Sequence, residues 1–322
     1  MYSVPTAIQL GLKKMINYTP KVTVIITCFN REESIAQSIE SVINQTYKNI
    51  ELIIIDDCST DHSQSIISDF ANTEAGNIKF LKNASNCGQN ASINRAFLNS
   101  TGDYFAFLDS DDEYETHFVS TMLNSLLNNP DYNFSYCRMV KGPKWRIEGC
   151  NQYSQVLRKG SLCNLGSLFL TKKAMSSIAP LPERLIPNDN CQDDAICFEL
   201  SKRYCFIHVK EELYIKKSSK QQITHDTHAN LLAWITLYSL YRDEILESTG
   251  FFNWIRLHAK LTVSHDKSRV LILLALEEHS KSNRFELART ILYSGLVAYV
   301  YLKHLSKRVL HKFLLILANL RS

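Results

Sequence analysis

Short runs of branched and aromatic apolar residues recur in the first third of the chain, and polar residues follow each run. Continuous apolar runs of this length indicate strands that are buried on both faces. Between the runs, apolar residues recur at helical spacing, as at Ile35, Ile39 and Val42. Four alternations of strand and helix predict an α/β fold with a parallel, right-handed, doubly wound sheet. The apolar runs cover residues 22–27, 50–55, 78–81 and 102–108.

The rest of the chain divides into a less regular middle and a helical end. Residues 168–171 and 205–209 have the composition of strands, with a helical pattern between them. From about residue 229 the apolar spacing is helical to the last residue. We therefore expect one domain over residues 1–225 and a C-terminal helical region over residues 226–322.

Polar residues that end neighbouring strands of a parallel sheet meet at one edge, where ligands bind. Three carboxylates lie within four positions at the end of the fourth run, at Asp109, Asp111 and Asp112. With ordinary pKa values near ~4 all three are ionised at neutral pH, so a divalent cation bridging them to a phosphate would neutralise them. The pattern predicts a metal–diphosphate site. The alternative is N-cap chemistry ahead of the next helix.

Composition narrows the class of protein. The 322 residues are 45% hydrophobic, enough for a sizeable core, and the net charge of +4 is small for this length. The nine cysteines include no Cys-x-x-Cys pair, so we interpret them as buried free thiols in a reducing compartment and not as a zinc site. No run of about 18 apolar residues and no secretory signal is apparent, and the expected location is the cytoplasm.

Four segments of the chain form a combined pattern, and they are residues 24–30, 45–61, 86–88 and 102–112. Together they resemble the family 2 inverting glycosyltransferases, which are nucleotide-sugar enzymes with the GT-A fold. They occur in the family's order and at its spacing, and the resemblance covers roughly residues 20–220. It implies a Rossmann-like, mixed and mainly parallel sheet with flanking helices. It also implies transfer of a hexose or N-acetylhexosamine from a UDP-sugar, with inversion, in the synthesis of bacterial capsule, lipopolysaccharide or exopolysaccharide.

Matched residue by residue, the resemblance implies roles within the site. Asp57 would accept a hydrogen bond from the base, which suits the imide N–H of uracil, or else it caps the next helix. Asp109 would face ribose or sugar hydroxyls. Asp111 would hold a Mn²⁺ or Mg²⁺ ion on the diphosphate, with Asp112 as a second candidate ligand. The implied donor-binding residues are Thr27, Phe29, Asn30, Asp57, Asn86, Gly88, Asp109, Asp193 and Lys217.

An acidic pair at the start of a predicted helix occupies the family's position for the general base. The pair is Asp193 and Asp194, with Asp where the family more often has Glu at the first position. By this match Asp194 would deprotonate the acceptor hydroxyl as it attacks the anomeric carbon. The alternative is that both acids only stabilise the positive end of the helix dipole.

One segment departs from the family pattern. Many members follow the base with Tyr-Arg-x-His, whose histidine completes the metal shell or contacts the diphosphate, whereas residues 214–217 of this chain read Tyr-Ile-Lys-Lys. A protonated lysine cannot ligate a metal, but it can contact phosphate oxygens, so weaker metal dependence is one interpretation. His225 or His228 is the alternative source of an imidazole.

The end of the chain is basic and amphipathic. Residues 284–322 hold seven Lys or Arg and a single acid, Glu286, among aliphatic and aromatic runs. This composition is typical of a helix that lies on an anionic membrane, which suits a glycan or lipid-linked glycan acceptor at the inner face of the plasma membrane. The alternative is a helical hairpin that packs on the catalytic domain or on a second subunit of a homo-oligomer. Nucleic acid is not an expected partner, because no base-reading motif is present.

Two other functions compete with a glycosyltransferase. A nucleotidyltransferase also uses paired acids and magnesium, but residues 27–32 lack the glycines of a phosphate-binding loop. A catalytically silent scaffold would keep the fold and recruit partners through the helical tail. The intact acids Asp109, Asp111 and Asp194 argue against silence, while the missing Tyr-Arg-x-His motif leaves it open.

Overall fold

The computed structural model of the chain describes residues 19–73, 78–140, 147–160, 162–181, 192–217, 233, 234, 236–238, 240–250 and 257. Within these ranges the strands are β1 Val22–Cys28, β2 Ile50–Asp56, β3 Ile78–Lys82, β4 Tyr104–Asp109, β5 Glu113–Tyr114, β6 Phe134–Met139, β7 Leu168–Thr171 and β8 Phe206–Ile215. The helices are α1 Ile35–Ile43, α2 Ser63–Asn72, α3 Gln89–Leu98, α4 Phe118–Leu127, α5 Tyr153–Lys159, α6 Lys172–Ile178, α7 Gln192–Arg203 and α8 Arg242–Thr249. Leu165–Ser167 forms one turn of 3-10 helix.

The strands form one eight-stranded sheet in the order β3-β2-β1-β4-β7-β6-β8-β5. The first four strands of that order are parallel, which confirms the arrangement predicted from the apolar runs. Beyond them the sheet is mixed, because β7 runs antiparallel to both β4 and β6, and β5 runs antiparallel to β8. This is the mixed, mainly parallel α/β sheet that the family resemblance implies.

The apolar runs become strands because both faces of the sheet are covered. Ile25, Ile26 and Ile54 are buried in adjacent strands. On α1, the buried residues Ile35 and Ile39 lie one turn apart, as an amphipathic helix on a sheet requires. The bounds of the first four strands agree with the predicted runs to within two residues.

The described residues fall into two compact units. The first contains the described residues up to 156, residues 162–181 and residues 192–217, and it includes the whole sheet. The second contains residues 157–160 and the described residues from 233 to 257. The predicted boundary at 225 and the basic tail at 284–322 lie outside the described residues. Across the described ranges, no helix is both long enough and apolar enough to span a bilayer.

The interpretation of the cysteines as uniformly free thiols is wrong for one pair. Cys150 and Cys205 form a disulfide across 55 positions of sequence. The neighbouring residues Gly149 and Phe206 exchange backbone hydrogen bonds of 2.8 and 3.2 Å, and this bridge brings the two cysteines together. Six other cysteines within the described residues are free.

Candidate active site

The loop that follows β1 is tied to the loop that follows β2. The Asn30 backbone N–H donates to Ser59 Oγ at 2.9 Å, and Asn30 Oδ1 accepts from the Thr60 backbone N–H at 2.8 Å. Asn30 has φ 52°, in the left-handed region that asparagine tolerates better than most residues. Phe29 is 42% exposed next to this fixed turn. The loop therefore presents an aromatic ring on a well-defined backbone.

Asp57 anchors the loop that joins β3 to α3. Its buried carboxylate accepts from Asn83 Nδ2 at 2.8 Å and from the Cys87 N–H at 2.9 Å through Oδ1, and from the Gly88 N–H at 2.8 Å through Oδ2. These bonds run to the loop and not to α2, so the carboxylate does not act as a cap for that helix. Oδ2 retains capacity for one further donor. Asn86, in the same loop, is exposed.

Asp109 ends β4 beside Thr27 on β1, and the first residue of α3 connects the two. Thr27 and Asp109 are paired in the sheet register. Gln89 Nε2 donates to Asp109 Oδ1 at 3.0 Å and lies 3.4 Å from Thr27 Oγ1. The register of a parallel sheet therefore brings together two of the predicted donor residues, and Gln89 orients the carboxylate.

Asp111 lies against a cation that the sequence analysis did not single out. Arg31 Nε is 3.6 Å from Asp111 Oδ2, and both side chains are less than one-fifth exposed. The Arg31 guanidinium also donates to the backbone carbonyl of Asn30 at 3.0 Å and that of Phe29 at 3.3 Å. The turn after β1 therefore holds a guanidinium at the acid cluster.

Asp112 is buried, and the chain segment at the end of β8 supplies its donors. The Tyr214 hydroxyl donates to Asp112 Oδ2, and the Lys217 backbone N–H donates to Oδ1 at 2.8 Å. The Lys217 ammonium lies 3.0 Å from Glu113 Oε1 and is about half exposed. The contact that Lys217 makes with the acid cluster is therefore a backbone contact.

Of the two acids at the start of α7, Asp193 lies close enough to Asp109 for their charges to interact. Asp193 accepts a hydrogen bond from the Leu165 backbone N–H, and Asp194 is buried. The positive charge of Lys216 acts on both Asp109 and Asp193. Lys216, in the departing motif, thus contributes positive charge at both Asp109 and Asp193.

Burial and mutual repulsion raise the pKa values of the clustered carboxylates. Burial raises the pKa of Asp109, and the charge of Asp111 raises it further. Burial, with the charge of Asp109, raises the pKa of Asp112 to about 7 and that of Asp193 to about 6. A bound cation would relieve this repulsion, because it stabilises the charged form of each acid.

A divalent cation fits these residues only if a ligand shares in holding it. Within the described ranges, no group of three or more His, Cys, Asp or Glu side chains is arranged to hold a metal ion. Magnesium in phosphate sites is usually bound by one or two carboxylates together with substrate oxygens and water. Both oxygens of Asp112 already accept hydrogen bonds, so Asp111 is the better-placed ligand. The carboxylate ligands at this site therefore suit a cation that is coordinated mainly by the oxygens of a diphosphate.

Three residues at this site, Tyr214, Arg31 and Gln89, received no role from the sequence pattern. Tyr214 stands in the segment that departs from the family motif, so a signal for it was present, and Lys216 in the same segment was considered together with Lys217 as a contact for phosphate oxygens. Arg31 and Gln89 follow strand ends, but nothing in the local pattern separates them from ordinary loop residues. Of the predicted residues, His225 and His228 lie outside the described ranges.

Comparison with known proteins supports a family 2 glycosyltransferase domain. Residues 23–163, which contain Asp57 and the acids at 109–112, match the family model Glycosyl transferase family 2. A Bacillus subtilis protein named as the glycosyltransferase EpsE is 43% identical over 97 residues. The match covers 30% of this chain and 35% of the length of EpsE. The GalNAc(5)-diNAcBac-PP-undecaprenol beta-1,3-glucosyltransferase of Campylobacter jejuni is 30% identical over 147 residues, covering 44% of this chain and 48% of its own length. The chain thus spans less than half the length of these relatives.

Two solved structures share the fold over most of the chain. TarS 1-349 of S. aureus, in complex with UDP-GlcNAc, superposes with a TM-score of 0.57 at 16% identity, covering 88% of this chain and 92% of that chain. The mannosyltransferase PcManGT of Pyrobaculum calidifontis, in complex with GDP-Man and Mn²⁺, gives 0.58 at 15% identity, covering 94% and 95%. At these identities the likeness establishes the fold.

Proposed function

We propose that the chain is a metal-assisted, inverting glycosyltransferase that takes a hexose or an N-acetylhexosamine from a UDP-sugar. The observation that supports this most directly is the meeting of Thr27, Asp57, Asp109 and Asp111 at the carboxyl edge of the parallel strands. That edge is where α/β sheets bind nucleotides. The same residues lie in the segment that matches the glycosyltransferase family.

The nucleoside end of the donor would occupy the loops after β1 and β2. Asp57 Oδ2 has capacity for one more donor, which suits the imide N–H of uracil. The Phe29 ring is exposed on the turn held by Asn30, where a base can stack on it. Asn86 and Gly88 belong to the loop that Asp57 anchors, and they would line the pocket beside the base.

The diphosphate and sugar would lie over the acids at the end of β4. Asp109, oriented by Gln89, would accept from ribose or sugar hydroxyls. Asp111, with Asp112 beside it, would hold a Mn²⁺ or Mg²⁺ ion, which when bound offsets the charge that grows on the leaving diphosphate. Arg31 and Lys216 contribute positive charge from the protein side of the cluster. Asp193 and the backbone of Lys217 would complete the walls of this part of the site.

We assign the general base to Asp194, which would accept the proton of the acceptor hydroxyl during a single displacement that inverts the anomeric carbon. A positioned carboxylate base contributes roughly 10²–10⁴ in rate. Asp194→Asn should therefore reduce transfer at least ~100-fold while UDP affinity stays near wild type. Glu199→Gln, farther along α7, where Glu199 pairs with Arg203, is the matched control. Transfer that survives in Asp194→Asn would place the base elsewhere.

The acceptor we propose is a glycan or a lipid-linked glycan of the cell surface, modified at the inner face of the plasma membrane. The Campylobacter jejuni relative, whose name describes glucosyl transfer to an undecaprenol-linked glycan, motivates this acceptor. The basic composition of residues 284–322 suits contact with an anionic membrane or with a second copy in a homo-oligomer.

The first test is a calorimetric titration of UDP into the purified chain with and without Mn²⁺, with GDP as the comparison nucleotide. We expect UDP to bind with Mn²⁺ and to bind at least ~10-fold more weakly without it, because the carboxylates then repel the diphosphate. Asp111→Asn should abolish the metal effect, whereas the exposed control Asp131→Asn should behave as wild type. Folded protein that binds neither nucleotide would favour a catalytically silent scaffold.

A further inference from the structure

Tyr214 contacts two of the three acids at the end of β4. Its hydroxyl donates to Asp112 Oδ2 and lies 3.4 Å from Asp109 Oδ2, and the side chain is fully buried. The two acids are 102 and 105 positions away in sequence. Because a phenol has one hydrogen to donate, Asp112 is the main acceptor and the hydroxyl dipole faces both carboxylates.

The pairing of β5 with β8 sets the position of this hydroxyl. Tyr114 and Tyr214 are register partners in the two strands, and their rings meet edge to face at 6.3 Å. β5 follows the acid cluster directly in sequence, and β8 pairs with β5. This pairing therefore places Tyr214 next to the acids. Tyr114 donates its own hydroxyl to the Phe107 carbonyl and not to a carboxylate.

A glycine in the 3-10 turn makes room for the Tyr214 ring. A Cβ at Gly166 would lie 2.4 Å from Tyr214 Cε2, 2.6 Å from Cζ and 2.9 Å from the hydroxyl oxygen. These distances are far below van der Waals contact, and the ring is packed on its other side, so a side chain at 166 would displace it. Gly166 is thus required for the position of the hydroxyl and not for backbone conformation.

The remaining contacts of the acids give Asp111 a different role from its neighbours. Asp112 accepts from Tyr214 and from the Lys217 N–H, and Asp109 accepts from Gln89 at 3.0 Å. Both accept hydrogen bonds from neutral donors of the protein, whereas Asp111 faces the positive charge of the Arg31 guanidinium. A cation bound to a diphosphate would therefore contact Asp111, which lies between Asp109 and Asp112 in sequence, and both of these neighbours are fixed by hydrogen bonds.

We propose that Tyr214, seated in the gap left by Gly166, is the positioning residue of the cation site. It fixes the Asp112 carboxylate by donating to Oδ2, with the hydroxyl dipole also facing Asp109, so that Asp111 and the ligand coordinate the cation together. The identity of the ligand rests on the proposed function, whereas the restraint on the acids rests on the contacts of Tyr214 alone. Outer partners of this kind typically contribute 10–100-fold to metal affinity.

The test measures Mn²⁺ affinity of the full chain in saturating UDP, from the electron paramagnetic resonance signal of free Mn²⁺. Tyr214→Phe should weaken Mn²⁺ binding by about 10–100-fold. Gly166→Ala, which keeps the hydroxyl but displaces the ring, should weaken it in the same direction. Tyr114→Phe, which also deletes a buried tyrosine hydroxyl but one that bonds a backbone carbonyl, should leave Mn²⁺ affinity unchanged.

A second measurement separates positioning from general loss of structure. In transfer assays, the Mn²⁺ concentration for half-maximal rate should rise in Tyr214→Phe, while kcat at saturating Mn²⁺ stays within about threefold of wild type. Equal or tighter Mn²⁺ binding in Tyr214→Phe, or an equal loss in Tyr114→Phe, overturns the positioning role. If wild type binds UDP but no Mn²⁺, the metal part of the proposed function fails together with this role. If wild type binds Mn²⁺ and Tyr214→Phe binds it equally well, the positioning role fails alone.

Discussion

At the scale of single residues, Asp57 serves both the fold and the site we propose. Its carboxylate accepts three hydrogen bonds from the loop that leads to α3, and all three donors are more than 25 positions away in sequence. A residue that anchors a loop and also contacts a base cannot be changed without effects on both stability and affinity. The two effects have different magnitudes, and they can be measured separately.

For Asp57→Asn we expect a loss of about 1–3 kcal/mol in the free energy of unfolding, because the amide group turns a donor toward groups that are themselves donors. UDP affinity should fall as well, since the loop bearing Gly88 loses its anchor. Urea unfolding and calorimetry measure the two quantities. Asp69→Asn, at an exposed position near the end of α2, is the control, and equal stability of the two variants would contradict the anchoring role.

Asp193 provides a prediction on pH dependence. Its pKa of about 6 in the folded chain, caused by burial and by the charge of Asp109, lies above the ordinary value near ~4 of the unfolded chain. The folded state therefore holds the proton over a range in which the unfolded state releases it. The contribution to stability is fully present below about pH 4 and is lost as pH rises through about 6.

Asp193→Asn mimics the protonated acid and can still accept from the Leu165 N–H. Relative to wild type, its free energy of unfolding should be similar at low pH and higher by on the order of 1–3 kcal/mol at pH 8. Urea unfolding across this pH range measures the difference, and Asp131→Asn should give a flat difference curve. A variant that is less stable than wild type at pH 8 would show that the folded chain favours the ionised acid.

At the scale of elements, the loops after β1 and β2 behave as one unit. Besides the Asn30 contacts with Ser59 and Thr60, the Arg31 N–H donates to Ser63 Oγ at 2.8 Å, and the His62 N–H donates to Glu32 at 2.9 Å. The N–H groups of the His62 backbone and ring lower the pKa of Glu32. The beginnings of α1 and α2 are therefore held together next to the proposed base pocket.

Asn30 contributes both side-chain hydrogen bonds and a left-handed backbone conformation, and two substitutions separate these contributions. Asn30→Gly keeps the conformation and loses the two hydrogen bonds that Asn30 Oδ1 accepts from the Thr60 N–H and hydroxyl, each of which should contribute about 0.5–1.5 kcal/mol to the free energy of unfolding. Asn30→Ala loses the same bonds and also adds roughly 1–2 kcal/mol of backbone strain at positive φ. Urea unfolding of both variants shows which of them has the lower free energy of unfolding. If alanine were as well tolerated as glycine, the turn would not require the left-handed conformation.

At the scale of the whole molecule, one covalent bond joins distant parts of the first unit. The disulfide between Cys150 and Cys205 closes a loop of 55 positions and fixes the segment before α5 to the start of β8. β8 in turn carries Tyr214 to the acids, so the bond stabilises the frame that supports the site.

We expect Cys150→Ser with Cys205→Ser to lower the free energy of unfolding by about 2–4 kcal/mol, because the unfolded chain regains the entropy of the open loop. Cys58→Ser with Cys87→Ser, at half-buried free cysteines, should change it by less than about 0.5 kcal/mol. Urea unfolding of the two double variants compares them. Equal losses would show that the bond adds nothing beyond the burial of its sulfurs.

Local pattern was sufficient for much of this protein. The four parallel strands and the acids that end β4 follow from apolar runs and strand ends, because buried strands and their termini are marked by a few consecutive residues. The candidate roles of Asp57, Asp109 and Asp111 came from motifs of the same short range. Strands marked by consecutive apolar residues can be predicted without knowledge of the segments that pack against them.

The partners of those residues depended on folding. Tyr214 meets Asp112 across 102 positions, Arg31 meets Asp111 across 80, and the Cys150–Cys205 bond spans 55. The antiparallel insertion of β7 and the pairing of β5 with β8 likewise join segments far apart in the chain. Such contacts arise when distant strands compete for the same sheet edge, and the apolar pattern of a single strand does not specify which neighbour it pairs with. The residues that bear charge were therefore apparent from the chain, whereas the groups that hold them in place became apparent only in three dimensions.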